Sequence, residues 1–142
     1  MAANTAGVDV ALLGVIALGG AIGAEARYGV SVLLPQRGVI PWHTLAVNVI
    51  GCLLIGVLMV CITEIWAAHR LLRPFLGVGV LGGFTTMSTY AGEVRTLLES
   101  GRIGYGLGYL GGTVVTGLIA VVLGVGATRW ISGTARRLGA GR

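Results

Sequence analysis

Long apolar runs separated by short polar ones make up this chain. No Asp, Glu, Lys or Arg falls between Arg37 and Glu64, between Arg73 and Glu93, or between Arg102 and Arg129. A helix needs about 20 predominantly apolar residues to cross a bilayer core, so each gap predicts a span. The first apolar run, Val10 to Ala24, is too short by itself, and the pattern carries the helix on through Glu25 and Arg27 to Leu34. Four helices are therefore expected: Asp9 to Leu34, Trp42 to Trp66, Pro74 to Glu99 and Arg102 to Thr128. Pro35 to Pro41, the stretch around His69, Arg70 and Arg73, and Ser100-Gly101 connect them. Residues 1–8 are expected to be a disordered N-terminus, 9–128 a single transmembrane unit, and 129–142 a loosely ordered basic tail. The expected fold class is an all-α membrane protein of four transmembrane helices, the third broken by the run from Gly82 to Thr89.

Composition agrees. Of the 142 residues 55% are hydrophobic and only 11% charged, and the mean hydropathy is +0.90; soluble domains carry roughly a quarter charged residues. The net charge of +5 comes from arginine alone, since the chain has no lysine. Such basicity would suit a nucleic-acid partner, but the arginines stand mainly in loops and in the tail, as in cytoplasmic loops of membrane proteins. No nucleic acid is expected. With four spans, Arg70, Arg73, Arg129, Arg136, Arg137 and Arg142 share one side, which places both termini in the cytoplasm. Ala24-Glu25-Ala26 mimics a signal-cleavage site, but no basic segment precedes the apolar run. Cys52 and Cys61 fall on nearly opposite faces of one helix and cannot pair within it.

Within the spans, a few polar residues stand out. The third predicted helix contains Gly82-Gly83 followed by Thr85, Thr86, Ser88 and Thr89. A glycine pair weakens a helix, and main-chain groups freed at membrane depth must be satisfied by protein, ion or water. Broken helices in transporters hold ions with such groups. A kink with hydroxyls bonded to the preceding turn would explain one Ser or Thr; four hydroxyls beside a glycine pair favour a polar site. Asn48, with Gly51 one turn on, either joins helices or faces a polar path. In the fourth helix Gly104, Gly108, Gly112, Thr116, Ala120 and Gly124 recur every four residues, a packing stripe of small side chains. Tyr109 and Thr113 place two hydroxyls one turn apart beside it.

Three segments in order resemble the Fluc (CrcB) family of fluoride channels. Gly19 to Tyr28 is similar to the family's first-helix Gly-Gly-x-x-Gly-Ala-x-x-Arg-Tyr signature, and Thr44 to Gly51 to its Thr-Leu-x-x-Asn-x-x-Gly segment. Gly82 to Tyr90 resembles its Gly-Gly-x-Thr-Thr-Phe-Ser-Thr-Phe hallmark. The resemblance implies an antiparallel dimer of four-helix subunits in the bacterial plasma membrane, with two fluoride pores along the subunit interfaces. It also implies a central structural Na⁺ bound by main-chain carbonyls, here those of Gly82 and Thr85. Asn48, Met87, Ser88, Thr89, Tyr90, Tyr109 and Thr113 match positions along the fluoride pathway, and Arg27 matches the vestibule arginine. Such channels let toxic cytoplasmic fluoride leak out passively. Neutral hydroxyl and amide donors suit this task, since a pore must replace the ion's water without trapping it.

At two positions the chain departs from the pattern: Met87 and Tyr90 stand where the family has phenylalanine, whose positive ring edge can face an anion. That difference suggests a partner subunit, a paralogue restoring the aromatic positions, as an alternative to pairing of identical chains. A proton-coupled exporter of the small multidrug resistance type is the rival reading, with Glu25 as its carboxylate. No catalytic triad, metal-ligand cluster or phosphate loop occurs, so no enzyme is expected.

Overall fold

A computed structural model describes residues 9–65 and 70–139, with side chains up to residue 133. The expectation for residues 1–8 lies outside the described residues, as do Trp66 and His69. Every regular element among the described residues is helical: α1 (Val10–Leu33), α2 (Trp42–Val60), α3 (Gly82–Phe84), α4 (Met87–Glu99) and α5 (Ile103–Gly139). Two π-helical segments accompany them, Cys61–Ile65 at the end of α2 and Pro74–Leu81 before α3.

Local chemistry sets the ends. Asp9 caps α1, its carboxylate accepting the Leu12 N–H at 3.2 Å, which satisfies one of the amides a helix start leaves open. Pro74 opens its segment where a missing N–H costs nothing. Gly101, with φ of 75°, makes the turn between α4 and α5 in a conformation that glycine adopts freely. Arg73 closes the far end of α2, donating to the Ile62 carbonyl at 2.8 Å.

Helix α5 runs further than the expected end at Thr128. It continues to Gly139, because no proline follows and Ser132 bonds back to the Thr128 carbonyl at 2.8 Å. Arg129, placed in the tail by the sequence reading, sits on this helix and pairs with Glu64 at 2.6 Å.

Among the described residues, three helices are long and apolar enough to cross a membrane: Val10–Leu33, Trp42–Ile65 and Ile103–Gly133. The stretch from Pro74 to Glu99, expected to be a broken third helix, is divided among a π-helical segment, α3 and α4. Backbones pack closely. A Cβ on Gly23 would strike the Val80 carbonyl, and one on Gly83 the Gly20 carbonyl, so α1 lies directly against Pro74–Phe84. Gly56 and Gly124 bring α2 against α5 in the same way. Small residues permit this approach where helices lack a hydrophobic driving force for association.

The small-residue stripe of α5 is used only in part. Gly106, Tyr109, Thr113, Gly117, Ala120 and Gly124 form its buried face, whereas Gly104, Gly108 and Gly112 have open space where a side chain would begin. The three glycines therefore do not pack within this chain, because the face α5 turns to α2 and α4 lies one step around the helix. Most large apolar side chains of α1, α2 and α5 point outward, among them Leu18, Ile50, Leu118 and Val122. Burial concentrates where α4 meets α5, in Tyr90, Val94, Leu97 and Tyr109.

Candidate functional site

The chain stops being helical for two residues. Thr85 (φ −75°, ψ 159°) and Thr86 (φ −144°, ψ 121°) are extended, between α3 and α4. Asn48 of α2 fills the gap. Its Nδ2 donates to the Thr86 carbonyl at 3.0 Å and its Oδ1 accepts the Thr86 N–H at 2.9 Å. One amide thus serves both main-chain groups of a residue that is only 7% exposed. An unpaired polar group there would cost much of its desolvation free energy. Gly51, one turn on, makes room: a Cβ there would collide with the Thr85 methyl group. The spacing of Asn48 and Gly51 therefore fits one α2 face to the two extended residues.

The break takes the helical donors from the carbonyls of Gly82 to Thr85, and for Gly82 and Thr85 the structure shows where those donors go. In a continuous helix the Thr86 N–H would bond the Gly82 carbonyl, but it goes to Asn48. The Thr89 N–H would bond Thr85, but it goes to the Thr86 hydroxyl at 3.2 Å. That hydroxyl caps α4 and also donates to Thr89 Oγ1 at 2.9 Å. The Thr85 hydroxyl bonds back to Leu81 at 2.9 Å, as an isolated helix hydroxyl does.

The site residues expected from sequence fall into three places. Asn48, Gly82, Thr85 and Met87 line one open depression of about 330 Å³, with Gly51 and Cys52. Met87 is 76% exposed, and Ser88 is exposed beside it. Thr89 and Arg27 line a second cavity of about 140 Å³ with Ser31, His43 and Thr44. Tyr90 and Tyr109 are buried where α4 meets α5, and Thr113 is buried one turn further along α5. The hydroxyl of Tyr90 donates to the Leu110 carbonyl at 2.6 Å, and its ring meets Tyr109 edge-on at 5.4 Å. Thr113 donates to the Tyr109 carbonyl at 2.8 Å.

Sequence reasoning passed over Glu93, treating it only as the end of an apolar gap. Its carboxylate accepts the Tyr109 hydroxyl on Oε2 at 2.8 Å and the Thr44 hydroxyl on Oε1 at 2.8 Å. His43 Nε2 lies 3.7 Å from the same Oε1. One acid thus joins α2, α4 and α5, and its side chain is only 17% exposed. A signal was present: Glu93 follows Tyr90 by three residues, which puts both on one helix face.

Comparison with known proteins adds to this geometry. Residues 14–125 match the family model described as CrcB-like protein, Camphor Resistance (CrcB). A protein of Nocardia farcinica named fluoride-specific ion channel FluC 2 is 60% identical over 92% of this chain and 94% of its own length. One of Streptomyces coelicolor, named fluoride-specific ion channel FluC 1, is 53% identical over 83% of this chain and 77% of its own. A fluoride-specific ion channel FluC of Chloroflexus aurantiacus is 46% identical over 83% of this chain and 95% of its own. These relatives are named as channels, not enzymes, and among the described residues three helices are long and apolar enough to span a membrane. The chain is a multi-pass membrane protein and belongs to the CrcB family.

Proposed function

We propose that this chain is a subunit of a channel through which fluoride leaves the cytoplasm passively, lowering fluoride toxicity. The observation that carries the reading is 60% identity, over nearly the whole chain, to a protein named as a fluoride-specific channel. The side chains fit the task. Asn48, Ser88, Thr89, Tyr109 and Thr113 offer neutral donors, and no lysine is present to hold the anion. An inside-negative membrane potential drives an anion outward, so a plasma-membrane leak suffices without a coupled ion.

The reading places Pro74–Glu99 across the membrane as a fourth, broken span, and pairs two subunits antiparallel. Supporting a second subunit are the exposed Met87 and the open space beside Gly104, Gly108 and Gly112. Met87 and Tyr90, at positions where the family carries phenylalanine, favour a paralogous subunit as partner over an identical one.

A structural Na⁺ fits the residues present. Hard cations take oxygen ligands, and the Gly82 and Thr85 carbonyls are among those left without helical donors at the break, theirs having gone to Asn48 and Thr86. Bound there, the ion would supply fixed positive charge and hold the subunits together.

The multidrug-exporter reading needs a carboxylate shielded within the span, whereas Glu25 is exposed on α1. Deleting the gene from its native host tests the choice. The channel reading expects growth to become fluoride-sensitive, with resistance to quaternary ammonium compounds unchanged. The opposite pattern would overturn it.

A further inference from the structure

We infer that His43 is a pH-responsive positioning residue: its protonation state sets how readily an anion enters the cavity beside Arg27, so that flux rises as pH falls. The inference rests on the channel reading above. His43 lines that cavity with Arg27, Ser31, Thr44 and Thr89, and its side chain keeps 20% exposure, enough for proton exchange with the mouth. Beside it is Glu93 of α4, and Arg27 and Tyr28 of α1 line the same cavity; Tyr109 of α5 reaches the same Glu93 carboxylate.

The imidazole is held loosely by its polar neighbours. Nε2 lies 3.7 Å from Glu93 Oε1, beyond hydrogen-bond length, and Nδ1 is buried with no hydrogen-bond partner. A neutral ring gains little from Glu93. A charged ring gains the Coulombic attraction of the Glu93 carboxylate at that distance. Protonation therefore changes the local charge in one direction. With His43 neutral, Arg27 and Glu93 balance each other. With His43 charged, the mouth carries one net positive charge and the Glu93 carboxylate is compensated, so the barrier to an approaching anion falls.

Histidine is the side chain that changes charge between about pH 5 and pH 8, and the experiment spans that window. The assembly is isolated from its native membrane through a tag on this chain and reconstituted in liposomes. Fluoride efflux is measured at about pH 6 and about pH 8, with efflux from protein-free liposomes subtracted to remove diffusion of hydrogen fluoride. Wild-type efflux is expected to be roughly three- to tenfold faster at the lower pH, the scale of one unit charge in a partly wet mouth. In His43→Gln the ratio between the two pH values falls to about one. In His43→Arg, which keeps the charge at every pH, efflux is equal at both and faster than in His43→Gln. A wild-type ratio near one, a ratio below one, or an unchanged ratio in His43→Gln overturns the inference while leaving the channel intact. Absence of wild-type efflux at both pH values, from an assembly that elutes as one species, overturns the channel reading and this inference together.

Discussion

Asn48 and Thr86 share a pair of hydrogen bonds, 3.0 and 2.9 Å long, through which one side-chain amide replaces a turn of helix. The pairing spans two helices distant in sequence and fixes where the main chain departs from helical geometry. Gly51 admits Thr85 on the same α2 face, so α2 works as a template for the extended residues. The diverted Gly82 and Thr85 carbonyls follow from this arrangement.

Replacing Asn48 with leucine leaves both main-chain groups of Thr86 unpaired in a buried place. The expected loss is about 2–4 kcal/mol, at roughly 1–3 kcal/mol per orphaned group with partial relaxation. Asn48→Asp is expected to destabilise as well, because the carboxylate cannot donate to the Thr86 carbonyl. Thermal unfolding in detergent checks both; wild-type stability in Asn48→Asp would show that the Nδ2 bond contributes nothing.

Gly23 and Gly14 stand on one helix but differ in surroundings. A methyl group at Gly23 meets the Val80 carbonyl, while at Gly14 nothing lies within 4 Å. Gly23→Ala should force α1 away from Pro74–Phe84 and cost at least the roughly 1–3 kcal/mol of an overpacked site. Gly14→Ala should be neutral or slightly stabilising, since alanine is the better helix former. Comparing the melting temperatures of the two variants decides.

Glu93→Ala removes the acceptor for both the Tyr109 and Thr44 hydroxyls. Each buried hydroxyl left unpaired costs about 1–3 kcal/mol. Glu93→Gln keeps one acceptor oxygen and should recover about half of the loss. By contrast, Arg129→Ala at the exposed Glu64 pair should leave the melting temperature nearly unchanged, because solvent screens the pair, although its contact is shorter.

Sodium dependence tests the carbonyl pair. Purifying the assembly in a large organic cation in place of Na⁺ should lower its melting temperature and its fluoride efflux together, and returning Na⁺ should restore both. Stability indifferent to Na⁺ would leave Gly82 and Thr85 without an ion to hold.

Much of the fold was written in local pattern. Two of the three charge-free gaps mark long apolar helices, α2 and α5, while Asp9 stands at the start of α1 and Ser100-Gly101 at the turn before α5. Gly82-Gly83 with the hydroxyls after it pointed to the departure from helix at Thr85 and Thr86. What was not legible depends on contacts between helices. Asn48 could have faced a path or a neighbour; only the arrival of Thr86 opposite it shows which groups it binds. Glu93 looked like a boundary charge because its partners Thr44 and Tyr109 come from other helices. The sequence does not display the extension of α5 past Thr128, because its arginines suggest a tail, whereas a helix continues until a residue stops it.

The central claim is that fluoride crosses the membrane through an assembly containing this chain. The most direct measurement is efflux of fluoride from liposomes holding that assembly, purified through a tag on this chain, under a clamped membrane potential and without a proton gradient. The account predicts protein-dependent fluoride efflux that a proton gradient does not alter. Efflux no faster than from empty liposomes, or transport only of cations in exchange for protons, would contradict it.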